Sequence, residues 1–219
     1  MLYLFDIDGT LVDTGGAGIA SIQETSHAIF GDKGPELDLA GSTDLGIITY
    51  IHSHFGEETT EETTARFFSL YQQRLDWNLR HGNFGGRVIP GATTLLAELA
   101  SRPDATLGLL TGNIAGGAAA KMSHFGLDSY FPFGAYGCDF ADRNLLGPVA
   151  LERANAHSGL SFTANETWVI GDTPKDVACA KAFGARCLAV ATGRFSVSEL
   201  EACEPDRVVS SLDEAVGWI

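Results

Sequence analysis

The sequence predicts an α/β protein with a doubly wound parallel sheet, interrupted after its first strand by a helical insertion. Two observations carry this prediction. From Gly91 onward, short strands rich in Val, Ile and Leu alternate with amphipathic helices. Between the first strand and residue 106, in contrast, apolar residues recur at helical spacing and no strand pattern returns. Right-handed crossovers between parallel strands would cover both faces of such a sheet with helices.

The first strand and the three helices after it are predicted from apolar spacing. Leu2–Phe5 is a short apolar and aromatic run, which is typical of a buried strand. The following helices each carry apolar residues three and four positions apart, on one face. They lie around Ile19–Phe30, Leu45–Phe55 and Phe67–Leu79. An acidic, threonine-rich run at 57–64 precedes the third helix and supplies N-capping residues.

Pairs of glycines mark the two ends of this helical stretch. Gly15-Gly16 precedes it and Gly85-Gly86 follows it. Glycine gives the backbone the freedom that a chain needs where it leaves and rejoins a core. We therefore predict a helical cap at residues 15–87 and a core formed by residues 1–14 and 88–219.

The rest of the core alternates between helices and strands. We expect helices at 92–101, 115–125, 148–158, 175–184 and 196–202. We expect strands at 106–110, 133–137, 167–171, 186–190 and 206–210. Ligands of such sheets gather at the carboxyl ends of the strands. The chemistry is therefore expected just after Phe5, Leu110, Tyr136 and Ile170.

Composition excludes several classes of partner. The net charge is −14 and the chain has no cluster of Lys and Arg, which argues against nucleic acid and against an anionic membrane surface. No apolar run reaches the roughly 20 residues of a membrane helix, and charges begin at Asp6, too early for a signal peptide. Four cysteines without a C-x-x-C pair fit reduced thiols. We expect a cytoplasmic protein, whose oligomeric state the sequence does not indicate.

Two carboxylates follow the first strand, in Asp6-Ile7-Asp8-Gly9-Thr10. On a strand, residues two positions apart point to the same side, so Asp6 and Asp8 are expected to face one point. Burying ionised carboxylates costs several kcal/mol each unless a cation or hydrogen bonds compensate. Oxygen ligands without nearby His or Cys favour Mg²⁺ over zinc. For this string alone, the alternative is a turn with solvated acids.

Polar strings also follow two later strands. After the strand at 106–110 comes Thr111-Gly112-Asn113 and then a helix start, a pattern that either binds an anion or caps the helix. After the strand at 167–171 comes Asp172-Thr173-Pro174-Lys175-Asp176. Thr173-Pro174 is also typical of a helix start. Together, the strings after the three strands predict a site for one Mg²⁺ and one phosphoryl group.

These strings resemble the motifs of the haloacid dehalogenase superfamily of phosphotransferases. Asp6-Ile7-Asp8-Gly9-Thr10-Leu11-Val12-Asp13 is similar to its first motif, Leu110-Thr111-Gly112-Asn113 to its second, and Gly171-Asp172-Thr173-Pro174-Lys175-Asp176 to its fourth. The resemblance covers nearly the whole chain and implies a Rossmann-like core with a helical cap, similar to phosphoglycolate phosphatases. It places a substrate-specificity loop of the cap at Gly41-Ser42-Thr43-Asp44.

The resemblance implies Mg²⁺-dependent hydrolysis of a small phosphorylated metabolite. Asp6 would be the nucleophile that forms an aspartyl-phosphate, and Asp8 the general acid and base. Mg²⁺ would be held by the Asp6 carboxylate, the Asp8 backbone carbonyl and Asp172, with Asp176 orienting metal-bound waters.

The phosphoryl site implied by the resemblance needs a cation. The family's third motif supplies one, but no Lys-Pro pair stands before the helix at 148–158. Our candidate is Arg143, in the interval where the third motif is expected, and Lys175 is the second choice. The full set of expected phosphate-binding residues is Thr10, Thr111, Gly112, Asn113, Arg143 and Lys175.

Other activities remain as alternatives. Asp8 argues against a dehalogenase, since halide needs no proton on leaving. A sugar-phosphate mutase of the same superfamily would need cap cations for a second phosphate, and it is the alternative enzyme. From a different class, we consider a phospho-accepting domain similar to response receivers and a catalytically silent binding domain. A large insertion after the first strand is not expected in a receiver.

Overall fold

The computed structural model describes all of residues 1–219. The helices are α1 (Ala17–Phe30), α2 (Asp44–Phe55), α3 (Glu61–His81), α4 (Ala92–Ser101), α5 (Ala115–His124), α6 (Leu146–Ser158), α7 (Pro174–Phe183) and α8 (Val197–Glu201). The strands are β1 (Leu2–Phe5), β2 (Val12–Asp13), β3 (Arg87–Val88), β4 (Thr106–Leu110), β5 (Gly134–Ala135), β6 (Thr167–Gly171), β7 (Arg186–Val190) and β8 (Arg207–Val209). None of the helices combines the length and the apolar character that crossing a bilayer requires.

Six strands form one parallel sheet in the order β5-β4-β1-β6-β7-β8. The chain builds this sheet outward from β1, first through β4 and β5 on one side, then through β6, β7 and β8 on the other. The strand order therefore reverses beside β1, which opens a crevice at the carboxyl ends of β1, β4 and β6. The predicted doubly wound parallel sheet is confirmed.

Both faces of the sheet are covered by apolar layers. The side chains of β1 alternate between them: Tyr3 and Phe5 belong to one apolar cluster, and Leu2 and Leu4 belong to the other. All four residues are buried, because a strand at the centre of a doubly covered sheet meets a helical layer on each side. The polar residues that follow β1 are consequently delivered to the interior of the crevice.

Helices α1, α2 and α3 pack on one another around a separate apolar cluster that includes Ile48, Phe67 and Leu75. We call residues 17–81 the three-helix segment. Thr60 caps α3 by accepting a hydrogen bond from the Thr63 backbone N–H at 3.2 Å, as the threonine-rich run predicts. The cap boundaries at 15 and 87 stay a prediction.

Two short strands that the sequence did not predict join the ends of the three-helix segment. β2 and β3 pair antiparallel, with Val12 opposite Val88. Gly15, at φ +63°, lies so close to Gly85 that a Cβ would stand 2.8 Å from the Gly85 nitrogen. Strands of two residues are too short to give a periodic pattern, which is why spacing did not reveal them.

Candidate active site

The loop after β1 brings its two acids into the crevice but points them at different neighbours. Asp6 is buried, whereas the Asp8 side chain is 43% exposed. Gly9 adopts φ +83°, and a Cβ there would lie 2.4 Å from an oxygen of Asp172, so glycine lets the loops after β1 and β6 approach. Both residues line one cavity, although Asp6 pairs with Arg143 and Asp8 pairs with Lys121.

Asp6 instead shares a site with Asp172 and Asp176. One carboxylate oxygen from each of these three buried acids lies within 4.8 Å of the others. Burial, together with the charge of the neighbouring carboxylates, raises the pKa of Asp6 to about 6 and that of Asp172 to about 8. The Thr10 hydroxyl donates to Asp172 at 3.0 Å, and the Thr173 hydroxyl donates to Asp176 at 2.6 Å. We call Asp6, Asp172 and Asp176 the acid cluster.

Arg143 is the cation of the acid cluster. It lies in a short 3₁₀ turn before α6, is almost fully buried, and places Nη2 3.1 Å from Asp6 Oδ1 while also pairing with Asp176. Burial alone lowers the pKa of Arg143, but the two carboxylates raise it above its ordinary value, so the guanidinium stays charged. One cation faces three carboxylates, which leaves the cluster with an excess of negative charge.

Lys175 points away from the acid cluster. Its Nζ donates to the Ser42 hydroxyl at 2.7 Å, and its side chain is 45% exposed. Of the two cations considered for the phosphoryl site, the structure places Arg143 beside Asp6 and Lys175 at the surface of the three-helix segment.

A lysine that sequence reasoning missed holds Asp8. Lys121 on α5 is 3% exposed, and its Nζ lies 2.7 and 2.6 Å from the two Asp8 oxygens and 2.6 Å from Asn113 Oδ1. Asn113 in turn donates to Asp8 at 2.7 Å. The signal in the sequence was a lysine on the same helical face as the buried residues Gly117, Ala118 and Met122. A charged residue on a buried face needs a partner.

The loop after β4 meets the loop of the three-helix segment. A Cβ on Gly112 would lie 1.9 Å from the Ser42 carbonyl oxygen, so the two backbones are in contact. The Asp44 N–H donates to the Gly112 carbonyl at 2.7 Å, and the Asp44 carboxylate accepts from the Ile114 N–H at 2.8 Å. Burial raises the pKa of Asp44 to about 6.

A cavity of about 320 Å³ lies between the sheet and the three-helix segment. Among the residues expected to bind phosphate, those that line it are Gly112, Asn113 and Arg143, whereas Thr10 and Thr111 are fully buried outside the lining. Of the expected specificity loop, Gly41, Ser42 and Asp44 line the cavity. The Thr43 side chain instead caps α2 and donates to the Ala141 carbonyl at 2.6 Å.

Comparisons with known proteins point to one family of hydrolases. The family model of the haloacid dehalogenase-like hydrolases matches residues 3–190. A protein of Dickeya dadantii named "Probable phosphatase IndB" is 27% identical over 99% of this chain and 92% of its own length. A phosphoglycolate phosphatase of Agrobacterium fabrum is also 27% identical, over 95% of this chain and 87% of its own. The crystal structure of CbbY from Rhodobacter sphaeroides superposes with a TM-score of 0.77 at 21% identity, covering 99% and 96% of the two chains.

Proposed function

We propose that this chain, which belongs to the haloacid dehalogenase-like hydrolase family and is a phosphatase of that family, hydrolyses a small phosphate monoester through an aspartyl-phosphate on Asp6. The observation that carries the proposal is the acid cluster. A buried, cavity-facing carboxylate sits beside a buried arginine, and two further carboxylates leave a deficit of positive charge. A phosphatase that forms an aspartyl-phosphate needs a nucleophilic carboxylate, a cation beside it and further carboxylates that bind a metal ion.

The acid cluster fits Mg²⁺. Its donors are all oxygens, with no His or Cys among them, and burial of three carboxylates against one arginine favours an additional hard cation. Asp6 and Asp172 would bind it from the cavity side with the Asp8 backbone carbonyl, and Asp176 would orient its waters. Bound Mg²⁺ would offset the repulsion between carboxylate and phosphate and polarise a phosphoryl oxygen.

Asp6 is the proposed nucleophile. Its carboxylate would attack phosphorus in line with the departing alcohol, so that one bond to phosphorus forms as the ester bond breaks. Arg143 binds Asp6 and lines the cavity, which puts its guanidinium within reach of the phosphoryl oxygens as well. The backbone of Gly112 and the side chain of Asn113 line the wall beside it.

Asp8 is the proposed general acid and base. It would give a proton to the leaving alcohol and then take one from the water that hydrolyses the aspartyl-phosphate. Lys121 and Asn113 hold its carboxylate, and all three residues line the cavity. Such positioning keeps the acid in one orientation through both steps.

The mutase alternative is disfavoured by the cavity. A mutase would hold a second phosphate with cations from the cap, yet the three-helix segment contributes no Lys, Arg or His to the cavity lining. Two of its three arginines lie elsewhere: Arg80 pairs with Asp76, and Arg74 lines a separate groove on the surface. Hydrolysis of a monophosphate needs no such cation.

The test measures phosphate release from phenyl phosphate with and without Mg²⁺. Rapid quenching of the reaction, followed by mass spectrometry of its peptides, detects a phosphorylated aspartate. We expect release only with Mg²⁺ and a phosphate trapped on the peptide that contains Asp6, accumulating in the Asp8→Asn variant because its hydrolysis is slowed. Phosphate release without a phosphorylated Asp6 peptide would contradict the proposed covalent route. Unchanged release in the presence of a chelator would contradict the metal requirement.

A further inference from the structure

The cavity has two ends of different chemistry. The end at the sheet is lined by Asp6, Asp8, Asp172 and Arg143. The end at the three-helix segment is lined mainly by apolar and aromatic side chains, namely Ile19, Ile22, Leu39, Ile47 and Tyr71. A substrate with its phosphoryl group at Asp6 would therefore place its leaving group against the apolar end.

No free cation serves the apolar end. Lys121 has three N–H donors, and they are matched by three close acceptors, the two oxygens of Asp8 and the Asn113 carbonyl oxygen. Arg194 also lines the cavity, but it is largely exposed and pairs with Asp38, the neighbour of Leu39, at 2.9 Å. The charged side chain that the three-helix segment itself supplies is an acid, Asp44.

A leaving group with a carboxylate or a second phosphate would meet this wall at a large cost. The anion would be buried among apolar side chains and near Asp44 and Asp8, with no unpaired cation to compensate. Burial of an unpaired charge costs several kcal/mol even after relaxation. The wall therefore favours an uncharged leaving group.

One polar group at the apolar end has no partner in the protein. Tyr71 is 2% exposed, lines the cavity, and its hydroxyl makes no hydrogen bond within the chain. Burial, reinforced by Asp44 and Asp8, raises its pKa well above the ordinary value, so the group stays an O–H donor. Buried tyrosine hydroxyls usually find an acceptor, and here the cavity is the side from which one can come.

We propose that the substrate is a monophosphate of a small, uncharged and mostly apolar alcohol that carries one carbonyl or hydroxyl oxygen, which accepts a hydrogen bond from Tyr71. The inference rests on the proposed function, because the phosphoryl group is taken to lie at Asp6. A volume of about 320 Å³ lies near the lower limit for ligand pockets, which restricts the alcohol to a few carbon atoms.

The test compares kcat/KM for three monophosphates of similar size: hydroxyacetone phosphate, propyl phosphate and phosphoglycolate. They share a short carbon chain and differ at the carbon next to the ester CH2, which is a neutral ketone in the first, a methylene in the second and a carboxylate in the third. We expect hydroxyacetone phosphate to be the best substrate and phosphoglycolate to be at least about tenfold poorer than either neutral compound. Phosphoglycolate as the best substrate would overturn the inference.

Variants separate the two parts of the inference. Tyr71→Phe should lower kcat/KM for hydroxyacetone phosphate about tenfold, mainly through KM, and leave propyl phosphate within about twofold. Tyr50→Phe, an exposed tyrosine on α2, is the matched control and should change neither. Equal loss on both substrates in Tyr71→Phe would overturn the hydrogen bond.

A gain-of-function variant tests the charge argument independently. Ile19→Lys adds a cation at the apolar end and should raise kcat/KM for phosphoglycolate relative to propyl phosphate at least about fivefold. An unchanged ratio in a folded variant would count against the inference. Absence of Mg²⁺-dependent release from every monophosphate, phenyl phosphate included, would instead refute the proposed function.

Discussion

The sheet edge and the three-helix segment build opposite ends of one cavity in opposite ways. At the sheet edge, charges are buried and held by hydrogen bonds, as when Arg143 and Asp6 pair at 3.1 Å. In the three-helix segment, the lining is mainly apolar and the buried Tyr71 hydroxyl is left without a partner. Under the proposed function, the charged end would bind the phosphoryl group and the apolar end would select the alcohol by shape and polarity. Variants should therefore change the rate at one end and substrate preference at the other.

The largest effect is expected from Asp6→Asn. Loss of the attacking carboxylate should lower kcat by about 10⁴-fold or more, on every substrate alike, because no other group lies at the nucleophile's position. Phosphate release is the measurement, and Asp76→Asn, on the exposed face of α3, is the matched control that should retain wild-type kcat. Comparable kcat in Asp6→Asn and wild type would assign the chemistry to another residue.

The next largest effect distinguishes Arg143 from Lys175. Arg143→Ala removes the cation of the acid cluster and should lower kcat/KM about 10²–10³-fold. It should also destabilise the fold by about 3–5 kcal/mol in urea titrations, because Asp6 and Asp176 lose their buried partner. Lys175→Ala, at the surface, should change kcat/KM by less than about threefold. The reverse order would make Lys175 the phosphate-binding cation.

A smaller loss is expected from Lys121→Ala. Asp8 would lose two contacts, and kcat should fall about 10- to 100-fold with little change in KM, because the residue positions the acid without touching the phosphoryl group. Lys181→Ala, an exposed lysine on α7, is the matched control. A change confined to KM would show that Lys121 binds substrate instead of orienting Asp8.

Without metal, the contribution of Asp172 to the free energy of unfolding should fall as pH rises. Its folded pKa of about 8 lies above the ordinary value of 3.8, so the folded state binds more protons between these pH values and is stabilised at the acidic end. Stability contributed by this group is lost as pH rises toward 8. After treatment with chelator, the urea midpoint of the Asp172→Asn variant should therefore become higher than that of the wild type as pH rises.

Added Mg²⁺ gives the control for this pH experiment. It should raise the midpoint of the wild type near pH 8 and have a much smaller effect on Asp172→Asn, because the acid cluster is then one carboxylate short. Parallel pH curves for the two proteins without metal would contradict the shifted pKa of Asp172.

The smallest effect is expected where the three-helix segment meets the sheet domain at the surface. Asp38 pairs with Arg194 at 2.9 Å and lies 3.8 Å from Lys175. These pairs are exposed, so Asp38→Asn should cost less than about 1 kcal/mol of stability and change KM by no more than about threefold, with the difference fading at high salt. Glu36→Gln, on the same loop and without an ion pair, is the control. A tenfold change in kcat would show that this contact takes part in the reaction.

Much of the fold followed from the chain alone. Each core strand and helix predicted from apolar periodicity is present, because burial on both sheet faces imposes a strong pattern on residues such as those of β1 and β6. The expected strand at 133–137 is reduced to Gly134–Ala135, since the Tyr136 N–H turns to donate to Asp139 at 2.8 Å. The spacing of apolar residues does not indicate local hydrogen bonds of this kind.

The acids at the strand ends were identifiable from the sequence because their position after apolar runs is a local property. Asp6, Asp8 and Asp172 had to emerge at one edge of a parallel sheet. The resemblance to the family's motifs gave Arg143 as the candidate for the phosphoryl cation and Lys175 as the second choice.

The pairing of those charges, in contrast, depends on the tertiary structure. Lys121 reaches Asp8 across 113 residues of sequence, and Arg143 reaches Asp176 across 33, distances at which spacing has no predictive value. The same holds for the cavity wall, where α1, α2 and α3 bring Ile19, Ile47 and Tyr71 to one end. The spacing of apolar residues indicates which face of a helix or strand is buried. Which side chains meet is determined by how the helices and strands pack on one another.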